Sequence, residues 1–150
     1  MILNGQVELK AAQDVVWNVL LDPNALQQAI PGCEELVEVE PDKYQANLKL
    51  GIAAVRGAYQ ARVQVSDRVP TDRYRLRIEG SGGPGFVQID GTVRLSQQGG
   101  DSTLVQYEYD VKVGGTIAAV GQRVLGGVAK FMMGEFFKAM QNRLPQGSPD

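Results

Sequence analysis

The chain has no histidine and a single cysteine, Cys33, among its 150 residues. The first absence removes the commonest general base and the commonest metal ligand. Together the two exclude Ser–His–Asp and Cys–His catalysis, an intrachain disulfide and a cysteine zinc cluster. A dominant charge is lacking too. The formal net charge is −2, so no basic field points to nucleic acid, and no nucleic-acid-reading motif is present. No apolar run is long enough to span a bilayer. The opening MILNGQVELK lacks the basic start and apolar stretch of a secretory signal. A lone cysteine fits a reducing compartment, and a cytoplasmic location is expected.

What is present is an ordinary globular composition, 43% hydrophobic and 21% charged, long enough for one hydrophobic core. Ile2–Lys10 alternates as a strand does. Gln13–Leu21 reads as a short helix with Val16, Trp17, Leu20 and Leu21 on its apolar side. Asp22-Pro23 then supplies an N-cap and a first helical residue for a second helix, which stops at Pro31-Gly32. From there to Val113 the period is two. Six runs, roughly 34–40, 43–52, 55–68, 73–80, 86–96 and 102–113, are separated by Pro/Asp- and Gly-rich turns, and their short links favour an antiparallel meander.

Each run has one apolar and one polar face, so one side of the sheet is buried and the other wet. The apolar phase carries Tyr44, Leu48, Tyr59, Val63, Tyr74, Leu76, Ile89, Tyr107 and Tyr109, which includes all five tyrosines. A buried phenol needs a partner. These hydroxyls are either rim-reaching core groups or the polar handles of a cavity. The polar face carries Arg62, Arg68, Arg73, Arg75, Arg77 and Arg94, interspersed with acids; it reads as a solvated face, with a docking stripe as the alternative. In the 34–40 run Glu34, Glu38 and Glu40 share a phase, which assigns Val37 and Val39 to the buried side.

The segment from Gly114 to Leu144 reads as one long amphipathic helix, yet glycines stand at 121, 126, 127 and 134. Each interior glycine costs about 1 kcal/mol relative to alanine, so the missing side chains are expected to serve close packing or ligand space. At 100° per residue Ile117, Val120, Gly121, Val124, Leu125, Val128, Phe131 and Met132 form the sheet-facing stripe, bordered by Gly127, with Gly126 on the wet side. Past Gly134 the pattern changes face, and a kink there would reset it. Glu135 then points either into a pocket or to solvent, and Met133, Phe136 and Phe137 become candidates for an apolar rim.

Strand, two short helices, six-stranded meander and long helix is the order of the helix-grip fold. With the Ile30-Pro31-Gly32-Cys33 element, the Gly114-Gly115 pair and Phe136-Phe137 in this order, the sequence resembles the carbon monoxide dehydrogenase G-subunit family of the START-like (SRPBCC) superfamily, over about residues 2–144. The resemblance implies an α+β fold, a seven-stranded curved antiparallel sheet wrapped around the C-terminal helix. It implies one ligand-binding domain over residues 1–144, with 145–150 as a tail or linker. It further implies a hydrophobic small molecule, such as a menaquinone or another lipid, held between sheet and helix. A molybdenum hydroxylase-type enzyme is the implied partner, with peripheral contact at the inner face of the membrane. No resident cofactor, metal or catalytic motif is implied.

The ligand contacts expected on this reading are the nine sheet residues named above together with Gly121, Val124, Leu125, Gly127, Val128, Phe131, Met132 and Phe136. The expected gate is formed by Ile30, Pro31, Gly32 and Gly83. Two other readings stand beside it. A small cyclase or hydrolase of the same superfamily would need Glu135, a tyrosine or a glutamate of the 34–40 run as its acid or base. A pure protein-interaction module would have a filled core and no pocket.

Overall fold

The structure is a computed structural model and describes residues 1–145; the tail assigned to 145–150 therefore lies, past Pro145, outside the described residues. Strand β1 (Ile2–Leu9) leads into helices α1 (Gln13–Leu20) and α2 (Pro23–Ala29). Strands β2 (Cys33–Glu40), β3 (Lys43–Leu50), β4 (Gly57–Val69), β5 (Arg73–Gly82), β6 (Gly85–Gln98) and β7 (Ser102–Gly114) follow, and α3 (Gln122–Arg143) closes the chain. Two 3₁₀ turns, Ala53–Val55 and Thr116–Val120, interrupt the connections. All pairings are antiparallel in the order β1-β7-β6-β5-β4-β3-β2. The α1–α2 crossover thus carries the chain from one sheet edge to the other.

Local chemistry accounts for the crossover. The Asp22 carboxylate accepts from the Asn24 N–H at 3.1 Å, and Pro23 opens α2, as a capped helix start requires. Val16, Trp17 and Leu20 of α1 and Ala25 and Ala29 of α2 are buried against the sheet. Thr103, the one fully buried polar side chain among the described residues, donates to the Ala11 carbonyl at 2.8 Å and fixes the end of β1 beside β7.

The long C-terminal segment departs from expectation. It is two pieces, not one helix. Gly121 lies at the junction with φ 94° and ψ 153°, a backbone region open essentially to glycine alone. It belongs to the hinge between the second 3₁₀ turn and α3, not to a sheet-facing stripe. Within α3 the buried residues are Leu125, Phe137 and Met140, with Val128, Met132, Met133 and Phe136 half-buried between them. This stripe runs through Gly134 without a break, so no kink resets the phase. It is rotated by about a quarter turn from the expected one. Val124 (45% exposed) and Phe131 (56% exposed) point outward, and so does Gly127, whereas Gly126 faces inward with the Met1 sulfur 3.9 Å from where a Cβ would stand. Apolar residues occur on nearly every side of α3, so periodicity alone could not choose among them; contact with α2, β1 and the 3₁₀ turns does.

The edge strand β2 also corrects the reading. Leu36 is buried opposite Ala46, while Val37 and Val39 face solvent. Three glutamates share the inward phase because β2 is an edge strand with irregular register at both ends, so their carboxylates reach water past the sheet. The polar sheet face is balanced as expected: Arg68 pairs with Asp42, Arg73 with Asp72, Arg75 with Asp67 and Arg77 with Glu79.

Two glycines of the C-terminal segment should respond in opposite directions. Gly121→Ala is expected to destabilise the protein by about 1–3 kcal/mol through its backbone conformation. Gly127→Ala, in open space within a helix, is expected to stabilise it by about 1 kcal/mol. Urea unfolding of the two variants checks both signs.

Candidate ligand-binding site

The inward face of the sheet has a closed half and an open half. At the closed end Leu9, Val105, Leu95, Val93, Tyr74, Val65, Val63, Tyr44 and Ala46 are buried under α1, α2 and the last turns of α3. Toward the other end Leu48, Tyr59, Ala61, Leu76, Ile78, Val87, Ile89 and Val113 point the same way, yet stay half-exposed. A separate small core, Val55, Ile117 and Leu125, closes the far rim. Two packed clusters therefore flank a stretch of apolar floor that the covering helix does not fill.

Cross-strand glycines set the depth of this floor. Gly5 faces Tyr107 and Gly91 faces Tyr109 across the ladders, and on the outer face of the sheet Gly114 faces Phe86 in the same way. A Cβ at any of the three would collide with the partner's ring, so each aromatic lies flat over a position without a side chain. The rings then stack on one another: Tyr107 on Tyr109 with centroids 5.3 Å apart, and Tyr107 on Phe137 at 5.6 Å, with Phe136 edge-on to Phe137 at 5.2 Å. Trp17 meets Tyr74 edge-on at 5.6 Å. These spacings are those of favourable aromatic pairs.

The tyrosine hydroxyls are the polar groups of the interior. Burial pushes the phenols of Tyr74 and Tyr109 far above their ordinary value, and the neighbouring Tyr74 and Tyr107 hydroxyls raise Tyr109 further. Burial also raises Tyr59, whose hydroxyl donates to the Val55 carbonyl at 2.7 Å, and Tyr44, which faces Glu38. Burial keeps Tyr74 and Tyr109 as neutral donors at physiological pH, and the Tyr107 ring stacks beside Tyr109.

A cavity of about 480 Å³ opens at the side, between β1 and α3. Val7, Leu9, Tyr107, Met133 and Phe137 make its apolar wall, and Lys130 and Lys138 stand on its helix side. Its volume is that of a small-molecule site. Sequence reading missed Val7, Leu9, Lys130 and Lys138 here, because the β1–β7 pairing that brings β1 under α3 is long-range. Met133 and Phe137 were visible as apolar, but on another side of the helix.

The expected contacts divide accordingly. Leu48, Tyr59, Leu76, Ile89, Tyr107, Val128, Met132 and Phe136 border the half-covered region. Tyr44, Val63, Tyr74, Tyr109 and Leu125 are buried in the two clusters, with Tyr74 and Tyr109 still presenting hydroxyls inward. Gly121, Val124, Gly127 and Phe131 do not line the interior. Of the gate residues, Gly32 has φ 75° and its carbonyl accepts from Lys49 N–H at 2.8 Å, which pins the Ile30-Pro31-Gly32 turn to the rim. Gly83 tips the β5–β6 hairpin with nothing within 4 Å of its Cβ position. Glu135 is exposed on α3, which removes it as an acid inside the pocket. No group of three or more metal-binding side chains occurs among the described residues.

Known structures share this fold. A crystal structure of a conserved protein from Geobacillus kaustophilus superposes with a TM-score of 0.94 at 44% identity, covering 95% of this chain and 94% of that one. A START superfamily protein from Mycobacterium smegmatis superposes at 0.77 with 17% identity over 95% and 96% of the two chains. The Zhui aromatase/cyclase of a Streptomyces species does so at 0.67 with 15% identity over 95% and 92%. The last two share the helix-grip fold and carry no further inference at that identity. No functionally curated protein matches the sequence. Residues 5–145 match the family described as the carbon monoxide dehydrogenase G-subunit (CoxG), and the chain belongs to that family.

Proposed function

We propose that this protein is a non-catalytic carrier that holds a hydrophobic molecule with an acceptor-bearing head, an isoprenoid quinone such as a menaquinone above other lipids. It would serve a molybdenum-containing, carbon monoxide dehydrogenase-type enzyme. The observation that carries the reading is the unfilled stretch of apolar floor, Leu48, Tyr59, Ala61, Leu76, Ile78 and Ile89, between two packed clusters. Covering that floor with an apolar ligand stabilises the complex by roughly 25 cal/mol per Å² removed from water. The hydroxyls of Tyr74 and Tyr109, kept neutral by burial, supply donors that suit a carbonyl head and give it one orientation. The family match supports an accessory role. The lack of any histidine and the exposure of Glu135 leave acid–base turnover without a positioned base.

Four measurements bear on this. Native mass spectrometry of the purified protein should find a co-purifying hydrophobe, and a menaquinone at 100 times its Kd should stabilise the fold by about 2.7 kcal/mol, raising Tm by about 5 °C or more. No bound hydrophobe and no shift would defeat the proposal. Ile89→Trp, which enlarges a half-buried residue of the floor beside the closed half, should weaken uptake at least ten-fold while the variant still unfolds cooperatively. Finally, the raised phenols make stability pH-dependent in a defined sense. Tyr74 and Tyr109 are more easily kept protonated in the folded than in the unfolded state. Their contribution is complete below pH 10.0, the ordinary tyrosine value, and is lost as pH rises above it. In an alkaline titration followed by phenolate absorbance, these two should ionise only together with unfolding, and Tyr74→Phe/Tyr109→Phe should remove that late cooperative phase.

A further inference from the structure

The two edges of the sheet are finished differently. At β2 the helix α2 lies against the edge, and the Gln27 carboxamide accepts from the Leu36 N–H at 3.2 Å. Sheets cover or blunt their edges in this way because a bare edge is a template for another strand. At β1 the cover is partial. Met1 and Val111 exchange both backbone bonds, at 2.9 and 2.7 Å. The β1–β7 register is unbroken from Ile2 to Leu9, so the odd-numbered residues of β1 bond to β7 and the even-numbered ones turn their N–H and C=O groups outward. Lys10 keeps the same phase: its N–H donates outward, to the Gln141 side chain at 2.8 Å. The backbone groups of Asn4, Gln6 and Glu8 have no such partner among the described residues.

Beside this bare stretch lies the side cavity of about 480 Å³. A cavity over one face of a strand would touch alternate residues. This one touches Gln6, Val7, Glu8 and Leu9 in succession, so it meets β1 edge-on. Helix α3 forms the opposite bank. It runs alongside β1 in the same sense, with Gly126 beside the Met1 sulfur and Gln141 at Lys10. Gly134 leaves the middle of this bank bare, with nothing within 4 Å of its Cβ position. Lys130 and Lys138 stand one turn before and one turn after it. Both are exposed, and neither enters an ion pair among the described residues. The groove thus combines unpaired strand backbone, an apolar bottom of Val7, Tyr107 and Phe137, and two cations.

We propose that this groove receives an extended acidic segment of another protein, which adds a strand to the sheet between β1 and α3. Strand addition takes its affinity from backbone bonds and its specificity from alternate side chains. Lys130 and Lys138 lie about 12 Å apart along the helix, close to the span of about 13 Å between residues i and i+4 of a strand. The inward side chains of the segment are then acid, apolar, acid at i, i+2 and i+4. The acids meet the two lysines, and the apolar one enters the gap at Gly134. A second copy of this chain fits worse, since β1 against β1 brings the lysines of two α3 helices face to face, and like charges oppose association. The groove shares none of the floor residues assigned above to a hydrophobe, so the two proposals stand or fall separately.

Fluorescence anisotropy at low salt with a labelled, end-blocked peptide, Ser-Glu-Thr-Val-Thr-Glu-Ser, tests this. The peptide should bind. The same peptide with lysine for glutamate, or with its three central amides N-methylated, should bind about ten-fold more weakly or worse. Lys130→Gln/Lys138→Gln should weaken the acidic peptide about ten-fold, whereas Lys49→Gln/Arg62→Gln, two exposed cations of β3 and β4, should change it less than about two-fold. Gly134→Leu has room in the free protein and should close the groove, weakening binding about ten-fold or more. Gly127→Leu, on the outer side of the same helix, should not. In the complex, hydrogen exchange at the Gln6 and Glu8 amides should slow about ten-fold or more, while exchange along β2 stays as it was. No binding of the acidic peptide, equal binding of its N-methylated form, an unaffected Gly134→Leu, or unchanged exchange at β1 would each overturn the proposal. So would self-association without peptide that Gly134→Leu abolishes, which would give the edge to a second copy of the chain.

Discussion

A single curved sheet has one apolar face, and the rest of this chain is deployed to cover it. The cover is short. Helix α3 has 22 residues, about 33 Å of helix, and only its last turns, with α1 and α2, seal the floor completely. Its first turns rest on the two 3₁₀ turns at the far rim. The middle is spanned and not filled. An unfilled apolar surface forfeits dispersion contacts and solvent exclusion, and a fold that leaves one open has a binding partner's share of that surface available.

The same constraint explains the glycines and tyrosines together. Gly5 and Gly91 give up side chains on the inner face, and Tyr107 and Tyr109 lie across the gaps. The exchange places broad rings where β-branched residues would otherwise stand upright and lowers the floor.

The two ends of the molecule differ in kind. The closed end is tied by Thr103, by the Asp22 cap and by the Gln13 amide, which donates to the Thr71 carbonyl at 2.8 Å. The open end is held by backbone contacts among uncharged loops. Polar side chains anchor the closed end at several points, whereas at the other end the Tyr59 hydroxyl donates to the Val55 carbonyl at 2.7 Å and apolar loop surface meets the surroundings.

Much of this is legible in the sequence. Period-two alternation, turn residues and the Asp22-Pro23 start specify seven strands, two short helices and the inward phase of the tyrosines, because each of those signals is local. The strand after Pro31 misleads, since an edge strand can carry glutamates on its inward phase when they escape past the sheet. The last helix misleads most. Periodicity assigns Val124, Phe131 and Gly127 inward, and they face outward; it assigns Gly121 to a helix that this residue instead opens. A segment apolar on most of its sides leaves its orientation to whatever it docks against, and α3 docks against α2, β1 and the 3₁₀ turns, most of them remote in sequence. The sequence by itself determined the sheet, its faces and the chemistry that the chain lacks. Only the tertiary structure decided which side of α3 looks inward, how much of the floor stays uncovered and which uncharged loops meet at one end, because those follow from long-range contacts that no local periodicity encodes.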